Sequence, residues 1–267
     1  MHLFTDGSDY PKYASLRFGN FFEKKYLKNE KIATLMGRYY GMDRKKKWDR
    51  TELAYEALVL GKGRVANNAQ EAITKAYNQG SSDEFIEPYI IGDNSESRID
   101  NGDSVIFFNL RSDRSRQLSK TFVQDKFFKM NPGSFKRRKR LQHLYFVAMT
   151  DFGPDLCDII TAFPSVDLKN TLPMQLGEFN QTYIAETEKY AHVTYFFNGG
   201  YSGKVVDEEQ VLVLSPDVKI YDKTPAMSSV QLTKLVVDNV KQKIKDKQIS
   251  SDIVVLNFAA PDMIGHT

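Results

Sequence analysis

The sequence has a single cysteine, Cys157, so no disulfide bond can form within the chain. This excludes the small secreted domains that depend on disulfides, and it favours a reducing compartment. No apolar run approaches the roughly 20 residues that a helix needs to cross a bilayer. The first ten residues, MHLFTDGSDY, also lack the basic and then apolar layout of a secretory signal. We therefore expect a soluble, cytoplasmic protein that has no membrane partner.

A strong charge imbalance is also absent, because 37 Lys and Arg residues stand against 34 Asp and Glu residues, a net charge of +3. Two basic runs, at residues 43–50 and 135–140, lie beside aromatic residues and resemble nucleic-acid-binding segments. Acidic residues are interspersed elsewhere, and no recognition module is visible. Solvated basic faces are therefore the favoured interpretation, and we expect no nucleic-acid partner. Internal repeats and low-complexity segments are absent as well.

The composition that remains is that of a globular protein, with 267 residues of which 41% are hydrophobic. Apolar strand-like segments alternate with helix-like segments, which predicts an α/β fold with parallel or mixed pairing. Asp49 and Glu52 resemble a capping box for a helix that ends at Gly61. The predicted strands are 2–5, 31–37, 84–91, 103–110, 141–151, 181–186, 210–215 and 252–259, and the other predicted helices are 13–29, 68–77, 112–122, 167–179, 187–200 and 228–245.

Charged residues follow three of the predicted strands. Asp6 and Asp9 come after strand 2–5, Arg38 and Arg44 after strand 31–37, and the pair Arg111 and Arg114 after strand 103–110. A guanidinium matches a phosphate or a carboxylate with two parallel hydrogen bonds, so two arginine pairs are suited to a substrate that carries both anions. The alternative is that these arginines form salt bridges with their sequence neighbours Asp43 and Asp113, and the pattern leaves both open.

The last segment, IVVLNFAAPDMIGHT, places Asp262 and His266 just beyond a buried strand. Ligands bind beyond the carboxyl ends of strands in open α/β sheets, and carboxylate with imidazole is a common ligand set for divalent transition metals. A helix-capping Asp beside a structural His is the competing interpretation. Lys189 stands near the start of a predicted helix, where its charge opposes the helix dipole, so it serves either an anionic ligand or a neighbouring glutamate. Glu188 and His192, four residues apart, are expected to share one helix face.

Five segments in this order and spacing resemble the cofactor-independent phosphoglycerate mutase family, whose members do not use 2,3-bisphosphoglycerate. They are GRYYGMDRKKKWDR (37–50), VIFFNLRSDRSRQ (105–117), LKNTL (168–172), AETEKYAHVTYFFNGG (185–200) and NFAAPDMIGHT (257–267). The resemblance extends over the whole chain. It implies interconversion of 3-phosphoglycerate and 2-phosphoglycerate in glycolysis and gluconeogenesis, through a serine that is transiently phosphorylated.

The resemblance also implies a domain organisation. A three-layer α/β domain similar to alkaline phosphatase carries two Mn²⁺ ions in the intact enzyme, and an inserted α/β phosphotransferase domain holds the substrate. On this sequence, residues 1–162 correspond to the inserted domain and residues 163–267 to part of the metal-binding domain, each incomplete. The intact enzyme is expected to be a monomer.

Site residues are carried over by the same motifs. The resemblance implies that the substrate is bound by Asp9, Arg38, Arg44, Arg111, Arg114 and Lys189. It assigns Asp262 and His266 to one manganese ion. Ser8 stands where the family usually has the arginine of a Gly-Arg-Asp loop, and we expect Lys12, or else Arg17, to compensate in part for that missing charge.

Several family residues have no counterpart here, namely the phosphorylated serine and the remaining metal ligands. The resemblance therefore implies an interior fragment, with no catalytic serine of its own, that is inactive alone. Two alternatives stay open: another phosphomutase of the alkaline phosphatase superfamily, such as a phosphopentomutase, and a non-catalytic phosphoglycerate-binding protein. The arginine loops argue against the first of these, because they belong to the mutase insertion.

Overall fold

The structure, a computed structural model, describes residues 1–17, 25, 27–92, 97–153, 155–156, 158–164, 166, 168–201, 203–246 and 251–266. The chain divides into two compact units, Met1–Pro164 and Ser165–Thr267. The division predicted from the sequence lies between residues 162 and 163. The identities assigned there to the two parts, an inserted domain and part of a phosphatase-like domain, stay predictions.

The first unit contains two sheets. One has the strand order β1-β2-β4-β3, and in it only the β2–β4 pairing is antiparallel. The other has the order β5-β6-β7, and both of its pairings are parallel. The strands are β1 (His2–Thr5), β2 (Thr34–Gly37), β3 (Arg64–Ala66), β4 (Tyr89–Ile91), β5 (Ser104–Phe107), β6 (Tyr145–Ala148) and β7 (Ile160–Thr161).

Helices of the first unit follow local sequence signals. They are α1 (Arg38–Gly41), α2 (Trp48–Leu60), α3 (Ala69–Asn78), α4 (Ser112–Val123) and α5 (Phe127–Met130). Asn68 caps α3 by accepting a hydrogen bond from the Glu71 amide, the bond that this residue type commonly makes at a helix start. Gly61 ends α2 in the left-handed conformation, with φ of 64°, where a side chain would be strained. Both helix ends therefore lie where the sequence places them.

Two apolar cores hold the first unit together. The larger core lies among α2, α4 and one face of each sheet, and includes Met36, Leu58, Phe107, Leu118 and Phe146. The smaller core packs α3 against the other face of the four-stranded sheet. This sheet is therefore covered on both faces, as is usual where parallel strands pair.

The second unit contains one fully parallel sheet of order β10-β8-β9. Its strands are β8 (Gln181–Glu186), β9 (Glu209–Val213) and β10 (Ile253–Asn257). Its helices are α6 (Leu172–Gln175), α7 (Tyr190–Val193), α8 (Ser229–Asp246) and α9 (Ala260–Gly265). Leu232 of α8 packs on one face of the sheet, and Val193 of α7 packs on the other. The carboxyl ends of all three strands point to one edge, which is where Asp262 and His266 follow.

The predicted α/β class with mixed and parallel pairing is confirmed, and several boundaries are wrong. Helix α2 begins at Trp48, and no side chain caps it, so the capping box predicted at Asp49 does not form. Residues 38–41, predicted as loop, are helical. The helices predicted over 167–179 and 187–200 shrink to four residues each, because turns replace the rest. In the helix predicted over 13–29, residues 18–24 and 26 lie outside the described residues.

Apart from β1 and β8, which match their predicted bounds, the predicted strands prove shorter than the segments that suggested them. In segment 84–91, for example, Asp83–Phe85 is a turn of 3₁₀ helix and only Tyr89–Ile91 pairs in a sheet. Among the helices that the structure describes, not one combines the length and the apolar character needed to cross a bilayer.

Candidate anion-binding and metal-binding sites

The loop after β1 is organised by the carboxylate of Asp6. Its Oδ1 atom accepts hydrogen bonds from the main-chain amides of Ser8 and Asp9, each at 3.0 Å. Gly7 between them has φ of 67°, and a Cβ atom there would collide with the main chain at Glu84. Only glycine fits such a left-handed position beside another backbone at little cost. The DGSD loop is therefore a fixed turn at the carboxyl end of β1.

Arg38 follows β2, the parallel neighbour of β1, so its side chain meets this loop. Its Nη1 atom lies 2.7 Å from Asp6 Oδ1 and 2.8 Å from Asp9 Oδ2. The side chain is only 4% exposed. Burial opposes the charge on Arg38, but Asp9 and Asp6 outweigh it and raise the pKa of the guanidinium above its usual value. The structure thus brings together Asp9 and Arg38, two of the predicted substrate-binding residues.

The second arginine of the loop after β2, Arg44, meets the loop after β5 at one carboxylate. Asp113 accepts from Arg44 through Oδ2 and from the Nε atom of Arg111, at 2.9 Å, through Oδ1. Burial raises the pKa of Asp113, but Arg44 and Arg111 reverse that effect and hold it below its usual value. The carboxylate of Asp43, the other predicted neighbour, accepts hydrogen bonds from Arg50 and Gln117. Asp113 thus forms the salt bridges of the competing interpretation, one with Arg44 and one with Arg111.

Arg114 completes the predicted quartet. Its Nη1 atom lies 3.5 Å from the carbonyl oxygen of Met42, in the loop that also carries Arg44. The carboxyl group of Glu84 interacts electrostatically with both Arg38 and Arg114. Burial raises the pKa of Glu84, and the positive charges of these two arginines oppose that increase. Arg38, Arg44, Arg111 and Arg114 are thus brought to one side of the first unit by two loops that are far apart in sequence.

Two acidic residues that support this region were missed by sequence reasoning. Asp83 is buried, and its Oδ2 atom accepts from the amides of Ala14 and Ser15, both at 2.9 Å, while Tyr77 of α3 donates to Oδ1. Glu84 follows it against the arginines. The only signal in the sequence was the pair of carboxylates after Ser81 and Ser82, of which Glu84 was assigned to the start of the predicted strand 84–91.

We expect Asp113→Asn to lower the free energy of unfolding of the chain by about 1–3 kcal/mol at pH 7, since two cationic donors lose an ionised acceptor. The pKa of Asp113 is lowered in the folded state, so its contribution is present above the ordinary aspartate pKa of about 3.9 and is lost as the pH falls through the lowered value. The gap between the two proteins should narrow as the pH falls below the ordinary aspartate pKa and should close once the pH is below the lowered pKa of Asp113. Urea unfolding across pH 2.5–8 measures it.

The control is Asp125→Asn, because Asp125 pairs with Arg140 on the exposed surface. Exposed pairs contribute little, so this change should stay within about 0.5 kcal/mol at every pH. A gap at Asp113 that did not vary with pH would contradict an ionic role for that carboxylate.

In the second unit, Lys189, Asp262 and His266 form a cluster. The Lys189 ammonium group contacts Asp262 Oδ2, and His266 Nε2 lies 3.4 Å from Asp262 Oδ1. The hydrogen bond from Lys189 is the main reason that the pKa of Asp262 falls below its usual value. Asp262 is therefore ionised at neutral pH. The structure brings these three predicted residues together in the second unit, whereas the four arginines and Asp9 lie in the first.

Two glutamates of the same motif lie buried at the end of β8. Glu186 has a relative exposure of 0%, and no hydrogen-bond partner for either of its carboxylate oxygens occurs among the described residues. Glu188 accepts a 2.8 Å hydrogen bond from the Tyr221 hydroxyl, whose pKa is raised by burial and then by Glu188. Glu188 precedes α7, so the helix face predicted to hold both it and His192 does not form. Tyr221 was not identified from the sequence.

Asp262 and His266 offer the oxygen and nitrogen donors that a divalent transition metal prefers. Groups of three or more His, Cys, Asp or Glu side chains suited to a metal do not occur in the described part of the chain. The pair therefore fits as two ligands of an incomplete site. A metal ion there would compete with the Lys189 ammonium group for Asp262.

Comparison with known proteins gives consistent matches over this chain. Residues 1–154 match the family profile described as BPG-independent PGAM N-terminus. The 2,3-bisphosphoglycerate-independent phosphoglycerate mutase of Clostridium kluyveri is 46% identical over 273 residues, which cover 100% of this chain and 51% of that protein. The corresponding mutase 1 of Methanosarcina acetivorans is 45% identical over 276 residues, again covering 100% of this chain and 51% of that protein.

A solved structure is similar as well. It is a crystal structure of Leishmania mexicana phosphoglycerate mutase at low cobalt concentration, with a TM-score of 0.81 and 26% sequence identity. The match covers 99% of this chain and 49% of that one. The chain thus spans about half the length of the curated relatives it matches.

Proposed function

Because the chain belongs to the 2,3-bisphosphoglycerate-independent phosphoglycerate mutase family, we propose that it supplies the substrate-holding part of an enzyme that interconverts 3-phosphoglycerate and 2-phosphoglycerate. The observation that carries the proposal is the meeting of two arginine loops at Asp113 and beside Glu84. Phosphoglycerate carries a carboxylate and a phosphate. A site with four arginines suits a ligand with two anionic groups better than a ligand with one.

The acidic partners of the arginines define how substrate binds. Asp113 and Asp6 hold the guanidinium groups in place before substrate arrives, which lowers the ordering cost of binding. Each guanidinium has five N–H donors, and the contacts of Arg38 with Asp6 and Asp9 use only the Nη1 atom. We assign the glycerate part of the substrate to Asp9, Arg38, Arg44, Arg111 and Arg114. Held in this way, the glycerate remains bound while its phosphoryl group is away, so return to the neighbouring hydroxyl is intramolecular.

Lys189 is proposed to contact the phosphoryl group, and Asp262 with His266 to hold a metal ion, which we propose is Mn²⁺. Such an ion, when bound, neutralises charge on the phosphoryl oxygens. Lys189 brings an ammonium group to Asp262, so cationic charge is already concentrated at this edge of the sheet. The enclosing organisation, a phosphatase-like three-layer domain with an insertion, belongs to the same proposal, as does compensation for Ser8 by Lys12.

The test compares the chain with a hybrid in which residues 1–267 replace the matching half of the Clostridium kluyveri mutase. We expect no conversion of 3-phosphoglycerate by the chain alone, and conversion clearly above background by the hybrid with Mn²⁺ present, in a coupled assay of 2-phosphoglycerate. Turnover by the chain alone would contradict the fragment hypothesis. A folded hybrid that binds 3-phosphoglycerate without turnover would instead favour a binding protein.

A further inference from the structure

Among the described residues of the first unit, the second sheet is covered on one face only. Its alternating residues Val105, Phe107 and Phe146 belong to the larger core beneath α2 and α4. On the opposite face, Ile106 is 66% exposed and Phe108 is 73% exposed. Parallel sheets are almost always covered on both faces, and the four-stranded sheet of this same unit is. The exposed face of β5 and β6 therefore has the composition of a buried surface.

An apolar groove adjoins this face, between the end strands of the two sheets. Strand β1 ends one sheet and β5 ends the other, and both line one cavity with a volume of about 540 Å³. The floor of the cavity is formed by Leu58 of α2 and by Leu118 and Phe122 of α4. The rings of Phe4 and Phe107 lie 6.0 Å apart, so the two strands flank the same gap.

The groove is suited to bind a further β-strand. Each of its two sides is an end strand, whose outer main-chain groups have no strand partner among the described residues. An extended segment lying in the groove would pair with both edges and place alternate side chains on the apolar floor. It would also join the two sheets into one. An amphipathic helix attached to that segment would cover Ile106 and Phe108, as α3 covers the neighbouring sheet.

We propose that the groove and the exposed face together bind a β-strand followed or preceded by an amphipathic helix, contributed by polypeptide outside these 267 residues. This occupant is favoured because the relatives are about twice as long as the chain and align with all of it. The solved neighbour is likewise about twice as long. The strand contributes main-chain pairing and the helix contributes apolar cover. The interaction does not depend on the arginine site, and so stands apart from the proposed catalysis.

The test uses Ile106→Asp and Val65→Asp, each made in the chain alone and in the Clostridium kluyveri hybrid. The two residues are a matched pair, because both lie on strands and both are 66% exposed. In the chain alone, both changes should shift Tm by less than about 2 °C. In the hybrid, Ile106→Asp should lower Tm by about 5–10 °C, since a charge is then buried, while Val65→Asp should again have little effect.

A second measurement keeps the proposal testable if the hybrid does not fold. The part of the Clostridium kluyveri mutase that the alignment leaves uncovered is co-expressed with the chain, and their association is measured by size-exclusion chromatography with mass detection. Ile106→Asp should weaken association at least tenfold, and hydrogen exchange at Ser104–Phe107 should slow in the complex. Equal effects of Ile106→Asp in both contexts, unaltered exchange at β5, or pairing of the face with a second copy of the chain would each overturn the proposal.

Discussion

Replacing Arg114 with alanine in the hybrid enzyme is expected to lower kcat/KM for 3-phosphoglycerate by about 30- to 900-fold. This corresponds to about 2–4 kcal/mol of transition-state stabilisation, the scale for losing one preorganised charged donor. Arg114 is chosen because both it and Arg38 interact electrostatically with the carboxyl group of Glu84. Arg114 therefore lies among the converging arginines. A coupled assay at subsaturating substrate measures the ratio directly.

The control for this experiment is Arg138→Ala. Arg138 belongs to the basic run at 135–140, is exposed, and pairs with Glu56 at 3.1 Å. Its loss removes the same charge from the protein but no donor from the proposed site, so kcat/KM should change less than about twofold. Equal losses in the two variants would indicate a general charge effect, and near-normal activity of Arg114→Ala would remove that residue from the site.

The second large effect is expected for metal binding. Asp262→Ala in the hybrid should remove one Mn²⁺ from the stoichiometry measured by isothermal titration, with affinity at that position reduced at least about 100-fold. The physical reason is that Asp262 supplies an anionic oxygen, and Lys189 holds the pKa of this carboxyl group below its usual value. His266→Ala should act in the same direction, since the imidazole lies against the same carboxylate.

Asp238→Ala serves as the matched control, because Asp238 lies exposed on α8. It should leave the stoichiometry unchanged. Circular dichroism distinguishes loss of a ligand from loss of the fold, and all three variants should retain the spectrum of the parent. Unchanged stoichiometry in Asp262→Ala or in His266→Ala would exclude that residue from the ligand set.

Local signals in the sequence predicted the parts of the fold that depend on local physics. The Asn68 cap, the Gly61 stop and the helical spacing of Leu232, Val236 and Val240 in α8 each act within a few residues. The corresponding helix ends were correct within a residue or two. Strand β8 was correct over its whole length for the same reason, since QTYIAE is a short segment whose centre, Tyr183–Ala185, is apolar and favours a strand. The arginine pairs were correctly predicted to follow two strands, because the sequence indicated those strands clearly even though some of their ends were misplaced.

Interactions across the fold account for what sequence reasoning missed. The segment 187–200 looks helical, but its buried polar groups bind elsewhere: Glu188 to Tyr221, and Asn198 to Glu208 at 3.2 Å. Such bonds outweigh helix propensity and replace the helix with turns. Asp83 escaped notice because its partners, Ala14, Ser15 and Tyr77, meet it only through tertiary structure. Asp113 joins Arg44 to Arg111, and this contact could not be predicted from the sequence. It depends on how the fold brings together two loops that are about 70 residues apart.

The parallel sheet of the second unit has a consequence for how fast this unit folds. Gln181 pairs with Ile253 where β8 meets β10, so the central pairing closes a loop of about 70 residues. The entropy of loop closure grows with length and must be overcome before the contacts stabilise the sheet. Formation of this sheet is therefore expected to be the slow kinetic phase of refolding. The edge that carries Asp262 would then assemble after α8 has formed, and intermediates with an unpaired β8 would be the species most prone to aggregate.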